Sequence, residues 1–482
     1  MEERNIFLNL SPLDHRYYLS NRKLFDGLSS YLSEEAAVRY TIRVEGALML
    51  AHIDTHVDSS DGKKQKLITA VRNLEKTITP EEVDKEEQKT HHNIRALVNV
   101  IKQKVPHEIQ HFVHLGATSA DILDTANSLR IKDAMLNQVI PLLCEVEDIL
   151  ISLTEKDAET VQVGRTHGQY AVPITLGYAL AEYVARLGKS ITELKRLTNN
   201  LRGKLSGAVG AYNATSVAAP DPIEFERLCL SYLNLEPAEY ATQVMEPEYV
   251  LRLLLEMNTA FGIIANLADD LRHLQRSEIQ EVQEFFTSTQ VGSSTMPQKR
   301  NPWNSEHVKS MWKAFSPRVM SFYMDQISEH QRDLSNSASS RFIIDYIAGF
   351  AAAAARIRKV LSTLHVNHKA LERNMKNAGD SVLAEAAYIL LSLGGESDAH
   401  EIIRQITLSC EREGLPMIEA IKRRKNTYST IATMLKKITG FEADEFFSNP
   451  SMYTGRAAVK AQEIAATYKE IIGGIREDLP NE

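Results

Sequence analysis

The chain has 482 residues, 43% apolar and 24% charged, with 55 basic against 63 acidic side chains and a net charge of −8. This is ordinary globular composition, and an acidic balance without a basic block argues against a nucleic-acid binder. No run of 18 apolar residues marks a membrane span, and Met1-Glu-Glu-Arg-Asn5 lacks the basic and apolar parts of a signal peptide.

At roughly 100–200 residues per domain, the length suits two to four domains or one long helical body with appendages. Cys144, Cys229 and Cys410 are odd in number, far apart and set among apolar residues. They read as reduced core side chains of a cytoplasmic protein. Residues 1–115 form a first region of short helices, with an acidic stretch, Thr79–Lys89, ahead of His91 and His92. His52 and His56 lie four apart on a helix and read as solvated or hydrogen-bonded surface histidines. His107-Glu-Ile-Gln-His111 has the spacing of a zinc site, with His114 beyond it. That reading is rejected: a helix begun at Pro106 ends almost at once at Leu115-Gly-Ala-Thr118, too soon to carry two ligands. No metal or other cofactor is expected.

Residues 116–365 carry the long helices. The segments 122–160, 174–203, 248–281 and 304–364 each read as a helix of about 28 residues or more, where about 11–12 is usual. Thr118-Ser119-x-Asp121 opens the first. It is either an N-cap or a set of hydroxyls and free N–H groups that suits a carboxylate or phosphate. Pro141 and Pro317 are expected to kink their helices. Gly164-Arg-Thr-His167-Gly168 places a histidine between glycines, ahead of a long helix, where it either faces a cleft or serves as a core or capping residue. Gly203-Lys-Leu-Ser-Gly-Ala-Val-Gly210 is glycine-rich but matches neither a phosphate loop nor a dinucleotide fingerprint. From Val250 the row Val250, Leu254, Met257, Phe261, Ile264, Ala268, Leu271 steps by four and three, with Leu253, Ala260, Ile263, Leu267, Leu274 beside it. A helix apolar over so much of its girth must be covered on several sides, which implies either a large bundle shared between subunits or a monomeric bundle with a thick core. The run Ala348-Gly-Phe-Ala-Ala-Ala-Ala-Ala355 lets helices approach closely. Residues 366–482 carry shorter helices broken at Gly394-Gly395, Gly414, Gly440 and Pro450. The expected fold is all-α, in three helical regions: 1–115, 116–365 and 366–482.

Two polar stretches carry side chains suited to binding. Val291-Gly-Ser-Ser-Thr-Met-Pro-Gln-Lys-Arg-Asn-Pro302 is a polar Gly/Ser/Pro loop with adjacent hydroxyls, a lysine and an asparagine. Such a loop can close over an anion and put a base beside it; alternatively it is a solvated loop. Arg332-Asp-Leu-Ser-Asn-Ser-Ala-Ser-Ser-Arg341 has two arginines and four serines, suited to gripping carboxylate or phosphate, or to a solvated face.

In order, the chain presents His114-x-Gly116-x-Thr-Ser119-x-Asp121-x-x-Asp124-Thr125, Gly164-Arg-Thr-His167, Gly207-Ala-Val-Gly210, Thr242-Gln243, the Ser293 loop, and Arg332-Asp333…Ser337…Arg341. This series resembles the fumarase/aspartase superfamily. The arginine/serine segment and the early Arg16-Tyr17 resemble its adenylosuccinate lyase branch more than fumarase, aspartase or argininosuccinate lyase. The resemblance runs from about Arg16 to the C-terminus. It implies a homotetramer with a central helical bundle and active sites shared between subunits; charge and hydropathy already argue against a nucleic-acid or membrane partner. It implies two small-molecule substrates, adenylosuccinate and succinylated aminoimidazole carboxamide ribotide (SAICAR), giving AMP and the corresponding amide, each with fumarate. Ser293 would be the general base and His167 the acid for the departing nitrogen. Lys299 and Asn301 would hold the succinyl carboxylate. Thr118 and Ser119 would bind carboxylate, and Gln243 would orient the substrate. Arg16, Tyr17, Arg332, Ser337 and Arg341 would hold the phosphate. Thr166, Ser294 and Met296 would line the substrate site, and His92 would support His167 or bind phosphate. The family's aspartate after that histidine is Asn93 here, which brings no charge to an imidazolium.

The chemistry is reasonable without a metal. The proton removed is weakly acidic, so catalysis must come from positioning and from stabilising a dianionic carboxylate. A serine becomes a useful base only where a closed loop excludes water and nearby cations favour its alkoxide.

Overall fold

The computed structural model describes residues 5–58, 62–287, 289 and 292–480. Val291, the first residue of the polar loop, lies outside them. About 70% of the chain is helical, so the helical expectation holds in the main, and the departures from it are local.

The first long helix is Ser119–Ala134, which continues through a π-turn, Met135–Val139, into Ile140–Lys156. Pro141 has no N–H to donate. The wider turn just before it takes up the misfit, so the chain bulges instead of breaking. The second runs Leu176–Asn199, and the Thr175 hydroxyl caps it by accepting from the Tyr178 N–H at 3.2 Å. The third is Glu248–Leu274. The fourth expectation, one helix over 304–364, is wrong. Trp303–Phe315 gives way at Ser316–Arg318, around Pro317, to a short Val319–Met324 helix. A loop follows, and helix resumes only at Ile343–Ser362. Serine side chains and Asp333 in that loop bond to nearby backbone and compete with a helix ladder; Asp333 accepts from the Ser335 N–H at 2.7 Å and the Glu329 N–H at 3.2 Å.

The Ile140–Lys156, Leu176–Asn199, Glu248–Leu274, Trp303–Phe315 and Ile343–Ser362 helices pack side by side into one bundle. Its core holds both rows read from Val250, from Leu253 and Leu254 to Leu271. Phe261 and Phe350 meet edge to face, 5.4 Å between centroids. Side chains of this size contribute about 1.5–3 kcal/mol each on burial. The small-residue run works as expected: a Cβ on Gly349 would fall 2.5 Å from the Phe315 ring. The Ala457–Glu477 helix returns to the bundle and packs on its first two helices, with Ala465, Tyr468, Ile472 and Ile475 joining the core. The Glu248–Leu274 helix has the length and mean hydropathy, 1.4, to cross a bilayer, but its apolar residues form this core. A second core joins Ala36–Val113 to Leu205–Leu235, and a third gathers Leu383–Phe447.

The all-α expectation misses three two-stranded sheets among the described residues. Val161–Thr166 and Gln169–Thr175 form an antiparallel hairpin, with Val161 opposite Thr175 and Thr166 opposite Gln169. Arg202–Gly203 pairs in parallel with Glu236–Pro237, and Val282–Gln283 pairs antiparallel with His365–Val366.

Candidate active site

His167 stands at the tip of the hairpin. It and Gly168 are the two turn residues, with φ of 54° and 75°. Both positive angles are what a two-residue hairpin of matching twist requires, and glycine supplies one without strain. The His167 ring is exposed, as are Thr166 and Gln169. The hairpin's base is held by Glu281, fully buried. Glu281 takes both nitrogens of Arg165 at 2.7 and 3.1 Å, the Gln162 amide at 2.7 Å and the Asn374 amide at 2.8 Å.

A second cluster forms around Thr118, which precedes the Ser119–Ala134 helix. Its N–H donates to the Asp121 carboxylate at 2.8 Å. Asp121 also meets the Lys204 ammonium at 2.5 Å, and both are fully buried. Lys204 donates further to the carbonyls of Gly207, 3.1 Å, and Gln243, 3.0 Å. The Gln243 N–H donates to the Gln331 carbonyl at 3.3 Å, beside Arg332. One helical turn along, Asp124 accepts from the Met245 N–H at 2.8 Å, and burial pushes its carboxyl up to about 6. Just before Thr118, His114 meets buried Glu45 at 2.7 Å. Burial opposes its cationic form, but the Glu45 hydrogen bond and charge outweigh this and raise its pKa.

The Ser293 loop is folded back on itself. Ser293 Oγ accepts from the backbone N–H groups of Met296 at 3.1 Å and Thr295 at 3.4 Å. Asn301 donates its side-chain N–H to the Gly292 carbonyl at 3.0 Å. A Cβ on Gly292 would sit 2.2 Å from the Lys299 carbonyl, so only glycine fits there. Met296, Lys299 and Asn301 line a cleft of about 680 Å³ with Arg272, Arg276 and Arg300. Ser294, Met296 and Lys299 are exposed.

The Leu13–Tyr17 turn carries Arg16 and Tyr17 and packs on the Ile343–Ser362 helix, which begins two residues after Arg341. Tyr17 Oη lies 3.0 Å from His307 Nε2, on the helix that follows the Ser293 loop. Burial, then Arg356 and Arg16, hold the His307 pKa below its usual value. Arg332, at φ 77°, donates to the Gln326 carbonyl at 2.9 Å and the Ser328 hydroxyl at 3.0 Å, while Ser337 and Arg341 are exposed. His92 caps the Asn93–Lys104 helix, its Nδ1 accepting from the Arg95 N–H at 3.2 Å. The Asn93 side chain caps the Ile94 N–H at 2.8 Å.

The expected residues thus gather into groups within one chain. Thr118, Ser119 and Gln243 share one cluster, and Ser293, Met296, Lys299 and Asn301 share a loop. Among the described residues no hydrogen bond joins that loop, the His167 turn and the Thr118 cluster to one another. One of the two surface-histidine expectations changes, while His56 is exposed as expected. His52 is fully buried, 3.0 Å from the Leu115 carbonyl and stacked on Phe112 at 5.4 Å. His107–Phe112 is a 3-10 helix, on which residues four apart do not share a face; Glu108 pairs with Lys63 at 3.2 Å instead. Sequence reading missed Lys204, Glu45 and His307. A lysine amid small residues in Gly203–Gly210 was the available signal for the first.

Residues 16–315 match the lyase family, and residues 328–442 match the adenylosuccinate lyase C-terminal family. An adenylosuccinate lyase of Pyrococcus horikoshii is 32% identical over 95% of this chain and 98% of its own. An N-acetyl-S-(2-succino)cysteine lyase of Enterococcus italicus is 27% identical over 91% and 93%. The crystal structure of 3-carboxy-cis,cis-muconate lactonizing enzyme from Pseudomonas putida has the same fold, with a TM-score of 0.77, 22% identity, and coverage of 96% of this chain and 100% of that one. The long-helix bundle and the polar loop therefore belong to a lyase of the fumarase/aspartase superfamily. Within that superfamily the chain belongs to the adenylosuccinate lyase family.

Proposed function

We propose that this chain eliminates fumarate from adenylosuccinate, giving AMP, and from SAICAR, giving the aminoimidazole carboxamide ribotide. The observation that carries the nucleotide reading is the packing of the Arg16–Tyr17 turn on the helix that starts just beyond Arg341. Two arginines and a tyrosine so placed suit a ribose phosphate, which a succinylated cysteine lacks.

Ser293 takes the proton from the substrate carbon β to the amino nitrogen. Two backbone N–H donors to its Oγ favour the alkoxide over the hydroxyl, which supports this role. The electron pair passes through an aci-carboxylate that Lys299 stabilises, then forms the double bond of fumarate as the C–N bond breaks. His167 gives its proton to the departing nitrogen. Ser293 has gained one proton and His167 has lost one, so exchange with water resets both. Thr118 and Ser119 hold carboxylate at a helix N-terminus, Gln243 orients the substrate, and Arg332, Ser337 and Arg341 bind phosphate. Asn301, which staples the loop through Gly292, holds the succinyl end when the loop closes. Thr166, Ser294 and Met296 line the site, and His92 with Asn93 supports its phosphate or imidazole end.

We assign the active enzyme to a cytoplasmic homotetramer whose sites combine stretches from different subunits. That no hydrogen bond among the described residues joins the His167 turn, the Thr118 cluster and the Ser293 loop supports this, as do Met320, Tyr323 and Met324, exposed on the short Val319–Met324 helix, and exposed Ile327 just beyond it. The test is incubation with adenylosuccinate, argininosuccinate and N-acetyl-S-(2-succino)cysteine in parallel, with fumarate measured. Release from adenylosuccinate is expected; release from either of the others alone overturns the reading.

A further inference from the structure

Lys204 is fully buried, and every polar contact of its ammonium is filled by the protein: Asp121 Oδ1 at 2.5 Å, the Gly207 carbonyl at 3.1 Å and the Gln243 carbonyl at 3.0 Å. Its own backbone is pinned to the same helix. The Thr125 hydroxyl donates to the Lys204 carbonyl at 2.9 Å and receives the Lys204 N–H at 3.0 Å. Asp121 in turn receives the N–H groups of Thr118, 2.8 Å, and Gly207, 3.2 Å. One ion pair therefore ties three separate segments: the helix start at Thr118–Ser119, the turn at Gly207, and the stretch at Gln243.

The turn is shaped for the same purpose. Gly207 and Gly210 have φ of 85° and 73°, and a Cβ on Gly210 would meet the Ala241 carbonyl at 2.0 Å. The glycines bring this segment against the Gln243 stretch, and Lys204 locks it there. Moving a lysine and an aspartate out of water is costly, and such a pair adds little net stability over a well-packed apolar pair of similar volume. What it adds is a single permitted arrangement, because Asp121 must meet the Lys204 ammonium and the Thr118 and Gly207 N–H groups at once. Asp121 cannot cap the helix and grip Lys204 unless the Thr118 N–H, the Gly207 turn and the Gln243 carbonyl stand in this register.

We infer that Lys204 is a positioning residue for substrate binding, holding Thr118–Ser119 and Gln243 as one rigid wall through its buried pair with Asp121. This rests on the reading of Thr118, Ser119 and Gln243 as substrate-binding residues. Lys204 does not reach the substrate itself, so it acts on KM and leaves the chemistry of Ser293 and His167 largely intact.

The test compares three variants in the full-length enzyme with adenylosuccinate: Lys204→Met/Asp121→Asn, which removes both charges together, Asp121→Asn, and Ser119→Ala. The double variant is expected to fold, by circular dichroism, and to raise KM about tenfold or more with kcat within about threefold. A kcat loss as large as the KM rise, or an unchanged KM in a folded double variant, overturns the inference. If the double variant does not fold, Asp121→Asn decides. It removes the carboxylate charge and one of its two acceptor oxygens while Lys204 keeps its two carbonyls, and it must give the same split between KM and kcat or the inference falls. Ser119→Ala separates the two layers. If it raises KM while the charge variants do not, the site stands and Lys204 is not its positioning residue. If it leaves KM unchanged, the site reading fails and the inference with it.

Discussion

Arg165 and Glu281 form a two-pronged ion pair at 2.7 and 3.1 Å directly below the turn that carries His167. Glu281 is fully buried, and Arg165 is mostly so. A two-residue turn on a short hairpin has little to fix it but its base, so the pair determines where an exposed imidazole points. Arg165→Met leaves the Glu281 charge with only two amides, which costs about 3–5 kcal/mol. It should lower the thermal midpoint and reduce kcat, with Arg165→Lys intermediate because an ammonium cannot fork. An unchanged kcat in a folded Arg165→Met protein would show that the His167 turn holds its position without the pair.

Ser293→Ala and His167→Ala should each cut kcat by about 10²–10⁴ while leaving the fold and substrate binding largely intact. Steady-state kinetics read this directly. A Ser293→Ala effect confined to KM would make the serine a binding group and put the base elsewhere.

The exposed Arg341 side chain is free to meet a ligand, whereas Arg332 already donates to Gln326 and Ser328. Arg341→Ala should weaken AMP binding by about tenfold or more and leave fumarate binding unchanged. Arg332→Ala should have the same sign and also loosen the 326–332 loop. Calorimetric titration with each product decides; equal losses for AMP and fumarate would place these arginines at the succinyl end.

Stability should fall in acid through His52. Burial, then the charges of His56 and His111, lower its pKa from 6.5 to about 4. A folded pKa below the unfolded one means that the stability it contributes is present above about pH 6.5 and is lost as pH falls toward 4, on the order of 2–3 kcal/mol in all. Urea unfolding at pH 7 and pH 4.5 should show this loss, and His52→Gln should flatten it. The same pH dependence in the variant would assign the loss to other groups.

Mixing inactive His167→Ala and Ser293→Ala proteins under subunit exchange should regenerate part of the activity, from sites that draw an intact residue from each chain. A stable, fully active monomer in sedimentation would end the shared-site reading.

The sequence by itself determined the helical body, because apolar residues at three- and four-residue steps such as Val250–Leu271 can be buried only on a helix covered on several sides. It also determined the Ser293 loop, whose Gly, Ser and Pro exclude helix or core whatever surrounds them. The hairpin was less legible: Val161–Thr175 has strand composition, but it is short and set between two long helical patterns, and its turn conformation depends on φ at His167. Helix 304–364 was over-extended because side-chain competition at Asp333 and Ser335 leaves no periodic mark. Only the tertiary structure decided that Lys204 serves Asp121 and that Glu281 serves Arg165. Those partners lie 83 and 116 residues apart in the chain, and a buried charge is recognisable as paired only when the fold has brought its counter-ion to it.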